Sequence, residues 1–367
     1  MHTSIFLLLL TMSSCNLQAA QQEALPAVYV IEDVANDEGL VAVRRLVRIS
    51  FDKDHRLTKE VMLTKDQRFF GHFGRHRIVA DRYVATAYGG VIDLQTKKLI
   101  HDEQHGELLG SEDGRVVYVV ANINRPSGFF AFDLKTQSVQ RFGQPGHWGL
   151  PGVKSPDTKR SIQQQGGGGP IRLHYIDGTA ETLAKEGFVV NYSPLSSTIG
   201  GGVPFLWLDN QRILTQRANG ELATIDVNGK QEKVVEIKDE KRGTIGTPRL
   251  ARDPQGRIVY WAHHRHVIDV KAKTATKMAM AALGNGFEVS TALDDKKVLT
   301  VFHEGKEIGR WNLHEYRTRT APGLIAFPYA EPGQGLGYPK GVAVWDIKSG
   351  RWQTDDLSVN DIIGWNK

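Results

Sequence analysis

The chain has 367 residues, of which 40% are hydrophobic, with a formal net charge of +5, 38 glycines and one cysteine. This composition excludes an intrinsically disordered chain, a collagen, a coiled coil and a disulfide-stapled miniprotein. The length allows one large domain or two medium ones, with enough chain to bury a core.

The amino terminus is apolar and uncharged. The first 20 residues contain no Asp, Glu, Lys or Arg, and Ile5 to Leu10 form an unbroken apolar run. A run this short is unable to span a bilayer as a helix, which needs about 20 residues. Small residues follow it, up to Ala20. We therefore predict residues 1–20 as a secretory signal peptide and residues 21–367 as the mature domain.

The only cysteine lies inside this segment. Met12-Ser13-Ser14-Cys15 resembles the lipobox of bacterial lipoproteins, with Met where Leu is usual. The resemblance implies that Cys15 is lipidated and that the membrane is contacted only through this anchor. Two alternatives stay open: cleavage near Ala19 or Ala20, which discards Cys15, and a cytosolic chain with an apolar start. Export places the protein in the periplasm, in the outer membrane as a lipoprotein, or at the cell surface.

A short motif recurs along the rest of the chain: an apolar residue, an Asp, a turn with a basic residue and a second apolar run. The copies begin at Phe51, Ile92, Phe132, Ile176, Ile225, Ile268 and Trp345, and Trp311-Asn312 is a near match. The average interval between copies is 42 residues. Each copy predicts a β-hairpin in which the Asp ends the first strand and hydrogen-bonds into the turn.

A second motif precedes most of these hairpins. It consists of a polar turn, a basic residue and an apolar strand, and its basic residues are Arg77, Arg115, Arg160, Arg212, Arg257 and Lys297. No stretch has a convincing helical period. We predict units of four antiparallel strands, named a to d, joined by an a–b turn, a variable b–c loop and the c–d Asp turn. This repeat is typical of a single all-β domain, a β-propeller of four-stranded blades.

Two stretches carry a resemblance to known repeats. Ser155-Pro156-Asp157-Thr158-Lys159-Arg160 is similar to the Ser-Pro-Asp-Gly-Lys turn of TolB-like repeats, and residues 343–352 are similar to a quinoprotein blade. The chain thus resembles the propeller group of WD40-like, TolB-like and quinoprotein-like repeats. The spacing favours eight blades, with seven as the alternative. The first unit lacks one strand: it consists of Val28 to Ile31, a long loop and Leu46 to Phe51. The last unit has an extra strand, Asp361 to Trp365. We predict that this C-terminal strand supplies the missing one and so joins the first blade.

In propellers, ligand sites usually lie on the side of the b–c and d–a loops. Candidate residues predicted on those loops are Tyr88, Arg125, His147, Arg217 and His263, together with His101, His264 and His303. Histidine titrates near neutral pH and is a common metal ligand, which favours a functional role. The alternative is that these residues have no function, because His is common in polar loops. Glu32, Asp33, Asp37 and Glu38 are interpreted as an acidic loop. No recognisable zinc, P-loop, G-x-S-x-G or dinucleotide motif is present in the sequence, so no cofactor and no metal is assigned.

Two functions are favoured, and a quinoprotein oxidoreductase is a third option that is disfavoured because only one blade carries a partial motif of that kind. The first is an exported binding or scaffold protein, expected to be a monomer, whose loops bind a protein or an anionic glycan; outer-membrane assembly lipoproteins with quinoprotein-like folds are an analogy. The second is a carbohydrate-active enzyme such as a polyuronate lyase. In that case Arg125 or Arg217 would neutralise the uronate carboxylate, and His263, His147 or Tyr88 would remove the C5 proton. Nucleic acid is not expected as a partner, because an exported protein does not meet it.

Overall fold

The computed structural model describes residues 26–366 apart from 71–75, 103–105, 123–124, 143–149, 151, 165–169, 186–204, 218–219, 238–248, 262–263, 292–297, 314–316 and 333–338. The predicted signal peptide and Cys15 lie outside the described residues. One helical turn, α1 (Gln67–Phe70), interrupts an otherwise all-β chain in the described ranges. In those ranges, no helix has the length and apolar character needed to cross a membrane.

The described strands form eight units of four, numbered in chain order. Unit 1 contains β1 (Ala27–Ala35), β2 (Val41–Phe51), β3 (Leu57–Asp66) and β32 (Val359–Asn366). Unit 2 contains β4 (Arg77–Val79), β5 (Tyr83–Ala85), β6 (Gly90–Asp93) and β7 (Lys98–Asp102). Unit 3 contains β8 (Gly106–Glu112), β9 (Arg115–Asn122), β10 (Arg125–Asp133) and β11 (Val139–Phe142). Unit 4 contains β12 (Val153–Lys154), β13 (Arg160–Gln164), β14 (Ile171–Tyr175) and β15 (Ala180–Ala184).

The second half of the chain repeats this arrangement. Unit 5 contains β16 (Phe205–Trp207), β17 (Arg212–Gln216), β18 (Glu221–Asp226) and β19 (Gln231–Glu236). Unit 6 contains β20 (Arg249–Arg252), β21 (Ile258–Trp261), β22 (Arg265–Asp269) and β23 (Thr274–Lys277). Unit 7 contains β24 (Met280–Gly284), β25 (Phe287–Ser290), β26 (Leu299–His303) and β27 (Lys306–Leu313). Unit 8 contains β28 (Arg319–Ala321), β29 (Leu324–Ala330), β30 (Gly341–Asp346) and β31 (Arg351–Asp355).

Within each unit the strands pair antiparallel in the order a-b-c-d. In unit 1, strand a is β32, which pairs with β1 through Val30↔Ile362 and Glu32↔Val359. The first and last described strands therefore lie in one sheet. Units 7 and 8 are joined into one eight-stranded sheet by a short pairing of β27 with β29. The a strands of several consecutive units contact each other, as in β28 with β32 and β32 with β4.

The antiparallel order separates the connections into two groups. The a–b and c–d turns of every unit lie at one end of its strands, which we call the turn side. The b–c and d–a connections lie at the other end, which we call the loop side. Loops carried by a regular scaffold are the usual place for binding residues.

The predicted Asp turns are present on the turn side at all seven Asp positions of the motif. In each turn a carboxylate oxygen accepts a hydrogen bond from a backbone N–H two to four residues later, at 2.8–3.2 Å. The residues are Asp52, Asp93, Asp133, Asp177, Asp226, Asp269 and Asp346. These carboxylates satisfy turn amides, so their role is structural.

Asp93 adds a buried ion pair to this turn. Its carboxylate accepts from Arg82 Nε at 3.1 Å and Nη2 at 2.6 Å, and from the backbone N–H of Gln95 at 2.9 Å. The Arg82 guanidinium, with these amides, lowers the pKa of Asp93 to about 2. Because this pKa lies below that of the unfolded chain, the pair stabilises the fold above about pH 4, and the stabilisation is lost as the pH falls toward 2.

We expect Asp93→Asn to lower the free energy of unfolding by about 1–2 kcal/mol at neutral pH, since Arg82 is partly exposed. The matched control is Asp177→Asn, which changes an exposed Asp of the same motif and should cost clearly less than Asp93→Asn. Urea unfolding at pH 7 and pH 3 measures both, and the difference between wild type and Asp93→Asn should shrink at pH 3. Equal losses for the two variants would contradict the buried ion pair.

Three units differ from the sequence interpretation. In unit 7, Val298-Leu299 begins strand c rather than strand b, and Trp311-Asn312 lies in strand d rather than at the end of strand c. The reason is that unit 7 uses tight turns without Asp. Its a–b turn contains Asn285-Gly286 and its c–d turn contains Glu304-Gly305, with φ values of 51°, 77°, 49° and 78°. Positive φ at both central residues is the signature of a type I′ hairpin turn.

In unit 2, Arg77 to Val79 form strand a and not strand b. The turn that precedes strand b contains Ala80-Asp81, both with positive φ. In unit 1, the predicted long loop is mostly strand, because β1 and β2 pair continuously from Val28↔Ile49 to Val34↔Val43. Glu32 and Asp33 therefore belong to a strand and not to an acidic loop.

Candidate functional site

Of the five residues proposed for catalysis, two are described with their side chains, and both lie on the loop side. Tyr88 is in the β5–β6 connection and Arg217 follows β17. Arg125 begins β10, but its side chain lies outside the described part of the structure. His147 and His263 lie outside the described residues, as does Cys15. Of the two described candidates, Tyr88 lies in unit 2 and Arg217 in unit 5.

Tyr88 is presented by a tightly held turn. The backbone N–H of Thr86 donates to Gly90 O at 2.8 Å, and the N–H of Gly90 donates to Thr86 Oγ1 at 2.9 Å. The hydroxyl of Tyr118 in unit 3 donates to Gly90 O at 2.9 Å. Tyr88 itself is 40% exposed. The turn thus holds an aromatic side chain in solvent on a fixed backbone, which lowers the entropy cost of using it for binding.

The guanidinium of Arg217 is held by two side chains of its own unit. Its Nη1 donates to Glu221 Oε1 at 2.8 Å and its Nη2 donates to Gln231 Oε1 at 3.0 Å. Glu221 is buried and also binds Lys233 Nζ at 3.0 Å. For Arg217 to neutralise a substrate carboxylate it would first have to leave a buried carboxylate, and that exchange carries an energetic cost.

Two of the candidate histidines are not on loops. His303 ends β26 beside the c–d turn, so it is on the turn side, in contact with the rings of Phe287 and Trp345. His101 lies in β7 and stacks on Phe132 with 4.5 Å between ring centroids. Both contribute to packing between elements. His303 was predicted on a loop because strand c of unit 7 was interpreted as strand b. His101 was predicted on the d–a loop, but strand β7 extends to Asp102 and includes it.

A buried polar cluster lies where the loop-side ends of units 1 and 2 meet. Asp33 Oδ1 accepts from Arg44 Nε at 2.6 Å, and Asp33 Oδ2 accepts from Asn360 Nδ2 at 2.9 Å. His76, which precedes β4 and is 5% exposed, accepts the backbone N–H of Ala87 on Nδ1 at 3.2 Å. This bond ties His76 to the turn that carries Tyr88, and His76 lies close enough to Arg44 and Asp361 of unit 1 for their charges to act on it.

Burial is the main influence on the protonation of His76. Burial lowers the pKa of His76, with Arg44 acting in the same direction and Asp361 opposing it. The imidazole is therefore neutral at pH 7. Because Nδ1 accepts a hydrogen bond, the proton of the neutral ring is on Nε2. Sequence reasoning passed over His76, Asn360 and Asp361, since they occur at strand ends where nothing in the sequence reports which neighbour they face.

The β1–β2 hairpin of unit 1 extends beyond strand β32 on the loop side. β32 pairs with β1 only as far as Glu32, whereas β1 and β2 continue as a hairpin to Ala35↔Val41. At its tip Asn36 Oδ1 accepts from the backbone N–H groups of Glu38 and Leu40 at 3.1 and 2.9 Å. Leu40 is 63% exposed on this ordered tip. Exposed apolar side chains of this kind often mark interaction sites.

The arrangement offers no metal centre in the described ranges, where no group of three or more His, Cys, Asp and Glu side chains converges. The loop side instead combines an exposed apolar tip, an exposed Tyr and a buried polar cluster. These features suit recognition of a partner more directly than they suit proton abstraction.

No protein-family model matches the chain, and no curated protein sequence matches it. Solved structures with a similar fold include BamB from Moraxella catarrhalis, at 14% identity and a TM-score of 0.39, covering 77% of this chain and 87% of that one. The WD40 β-propeller domain of Doa1 has 12% identity and a TM-score of 0.34, covering 76% and 90%. An oligogalacturonate lyase in complex with manganese has 11% identity and a TM-score of 0.36, covering 91% and 86%.

Likenesses at this level concern the fold alone and transfer no activity. The strand pairing itself carries the assignment, since four-stranded antiparallel sheets follow one another along the whole described chain. The described chain accordingly has an all-β fold of consecutive four-stranded antiparallel units, the arrangement found in β-propellers.

Proposed function

We propose that this protein is an exported, closed, eight-bladed propeller that binds a partner protein through the loop side of its first two units. Closure is supported by the pairing of β32 with β1 and by the eight units of four strands in the described residues. Export and an anchor at Cys15 are supported by the uncharged, apolar amino terminus and the lipobox-like Met12-Ser13-Ser14-Cys15. We expect a monomer in the periplasm, on the outer membrane or at the cell surface.

The observation that carries the proposal is a pair of exposed apolar side chains at the loop-side ends of units 1 and 2. On the turn side, the Asp side chains of the repeated motif are bonded to their own turns. On the loop side, Leu40 and Tyr88 are 63% and 40% exposed on ordered backbone of neighbouring units. Aromatic and aliphatic anchors of this type supply most of the binding energy of protein interfaces.

The charge near the tip favours a protein over an anionic glycan. Asp37 and Glu38 are exposed beside Leu40, so a polyanion would meet like charges there. A partner with an apolar pocket rimmed by Lys or Arg fits better. An anionic glycan remains an alternative, as does a polyuronate lyase activity that uses Tyr88 and Arg217.

The test is site-specific photocrosslinking in intact cells. A photoreactive phenylalanine analogue is placed at Leu40 or Tyr88, with Ile176 and Ile347 on the turn side as matched exposed controls. We expect a discrete protein adduct from the two loop-side positions only. The adduct at Leu40 should disappear when Asp37 and Glu38 are both changed to Lys, because the complementary rim would then be repelled.

Two further readouts address the anchor and the enzyme alternative. The wild-type chain should sediment with membranes, whereas Cys15→Ser should not. Purified protein mixed with polygalacturonate or alginate should produce no unsaturated uronate detectable by ultraviolet absorbance. Turnover that Tyr88→Phe abolishes, or adducts that form equally at all four positions, would contradict the binding proposal.

A further inference from the structure

The turns of neighbouring units lie side by side on the turn side. Polar contacts of 3.0–3.2 Å join the turns of units 8 and 1, 4 and 5, 5 and 6, and 7 and 8. The contacts are His55 with Asp346, Asp157 with Asn210, Leu208 with Arg252, and Asn285 with Thr320. The turns between consecutive strands on this side all fall within the described ranges. They therefore present one shared surface.

Every unit carries an exposed lysine on this surface. Seven of these lysines lie in a c–d turn or at the first residue of strand d, and Lys159 lies in the a–b turn of unit 4. None of them forms an ion pair with another described residue. The residues are Lys53, Lys98, Lys135, Lys159, Lys230, Lys271, Lys306 and Lys348.

The acidic side chains of the turn side offset this charge only in part. The motif carboxylates are bonded to amides of their own turns, and most are buried or half-buried; Asp93 and Asp346 are 2% and 4% exposed. The exposed acidic residues of the turns and of the strand residues next to them are Asp54, Asp81, Glu112, Asp113, Asp177, Asp269 and Glu304. The exposed arginines there are Arg56, Arg82, Arg115, Arg212, Arg252 and Arg351. Exposed positive charge is thus in excess and is spread over all eight units.

The amino-terminal segment enters the fold on the same side. Ala27, the first residue of β1, pairs with Asn366, and β1 begins beside the Asp52 turn. Cys15 precedes Ala27 by 12 residues, a length of chain that reaches at most about 40 Å. Strand β1 spans about 30 Å between the two sides. A bilayer on the turn side is therefore within easy reach of Cys15, whereas one on the loop side requires an almost fully extended segment.

We propose that the turn side rests on the surface of a bilayer that contains anionic phospholipids, with the lysines of its turns contacting the headgroups. Anionic headgroups attract Lys and Arg near the membrane surface, through a field that falls off within about 8 Å at 0.15 M salt. The proposal rests on the proposed anchor at Cys15 for the place of the bilayer and extends the membrane contact beyond that anchor. The attraction orients an anchored chain but does not hold an unanchored one at that salt concentration.

Two features favour a bilayer over a soluble anionic glycan. Lysines spread over eight units suit an extended surface, whereas a single glycan chain contacts only part of such an array. The acidic tip with Asp37 and Glu38 lies on the opposite side, where an anionic membrane does not meet it. This orientation directs Leu40 and Tyr88 away from the bilayer, toward a soluble partner.

The first experiment is cosedimentation of the mature chain, residues 21–367 without lipid, with vesicles. Vesicles of phosphatidylcholine alone are compared with vesicles of phosphatidylcholine and phosphatidylglycerol, at about 0.01 M and about 1 M salt, where the Debye length is about 30 Å and 3 Å. We expect binding only to the anionic vesicles and only at low salt. Polygalacturonate is the soluble polyanion for comparison.

Two double variants locate the binding surface. Lys53→Gln combined with Lys348→Gln should weaken binding to anionic vesicles by about tenfold or more, since each lysine near the surface contributes roughly fivefold. Lys185→Gln combined with Lys277→Gln removes the same charge from exposed loop-side positions and should weaken binding by less than about twofold. Both double variants should keep the wild-type melting temperature, because all four side chains are exposed.

A fluorescence experiment reports the orientation. The mature chain has no cysteine, so Gln95→Cys and Asp37→Cys each accept one fluorophore, on the turn side and at the loop-side tip. A lipid with a spin-labelled headgroup should quench only the first. The proposal is overturned by equal binding to both vesicle types, by equal losses in the two double variants, by equal quenching, or by tighter binding to polygalacturonate. The chain used carries no lipid and no photocrosslinker, so failure of the anchor or of the crosslinking leaves these results unchanged.

Discussion

A chain that ends after Asp356 is expected to lose its native fold. Such a truncation removes β32, whose Val359, Ile362 and Ile363 are 3%, 0% and 7% exposed, and also removes the buried Leu357. Burying each aliphatic side chain contributes about 1.5–3 kcal/mol. The summed loss is comparable with the whole stability of a typical domain, about 5–15 kcal/mol.

The truncation also changes the edge of the first sheet. Without β32, the backbone groups of β1 that pair with it become an open edge, and open edges promote aggregation. We expect the shortened protein to be insoluble or to lack a cooperative thermal transition by circular dichroism. Asn366→Ala is the control: it removes the 3.2 Å hydrogen bond that the backbone N–H of Ala27 donates to Asn366 Oδ1 and the 3.4 Å hydrogen bond from Asn366 Nδ2 to the Tyr29 hydroxyl, and should cost about 1 kcal/mol.

A folded, monomeric truncated chain with an unchanged melting temperature would show that β32 is dispensable and would remove the main support for a closed ring. A peptide spanning residues 357–367 should restore solubility to the truncated protein when added during refolding. This rescue separates the loss of one strand from a general effect of shortening the chain.

The second large effect is expected from Phe327→Ala. Phe327 in β29 is fully buried, and its ring lies 5.6 Å from that of Trp311 and 5.2 Å from that of Trp352. Truncating a buried Phe leaves a cavity that its neighbours fill only partly. We expect the free energy of unfolding to fall by about 3–5 kcal/mol in urea unfolding.

Two comparison variants test whether the loss of stability comes from the buried cavity. Phe327→Leu keeps most of the volume and should cost less than Phe327→Ala. Ile347→Ala changes a residue of the same unit that is 49% exposed, and should stay within about 0.5 kcal/mol of wild type. Similar losses for Phe327→Ala and Ile347→Ala would mean that units 7 and 8 do not share the aromatic core described above.

The two sides of the molecule suggest how stability and recognition are divided. On the turn side, the same local structure recurs: an Asp carboxylate accepts hydrogen bonds from the backbone of its own turn. Each hairpin is therefore stabilised independently of the others. The loop side is less regular, and there unit 1 projects an ordered tip while unit 2 holds Tyr88 on a turn tied to His76. A repeated scaffold of this kind can vary one side without disturbing the other.

Much of the fold could be predicted from local sequence. The Asp turns were predictable because an Asp side chain can bond a backbone N–H two residues later with no help from the rest of the chain. The C-terminal strand was predictable because Asp361 to Trp365 exceed the strand count of the last unit. Unit 7 was misread because its Asn285-Gly286 and Glu304-Gly305 turns replace the Asp motif with residues at positive φ. Asn-Gly is itself a hairpin signal and would have corrected the register.

The candidate sites depended on tertiary structure. The sequence by itself determined the four-stranded repeat, the Asp turns and the loop position of Tyr88 and Arg217, because these follow from local periodicity and turn chemistry. Only the tertiary structure decided that Arg217 is bound to Glu221 and that His76 supports the Tyr88 turn. The physical reason is that the alternation of side chains along a strand determines which residues share a face of the sheet. It does not determine which neighbouring unit that face contacts, because this depends on packing between residues far apart in the chain.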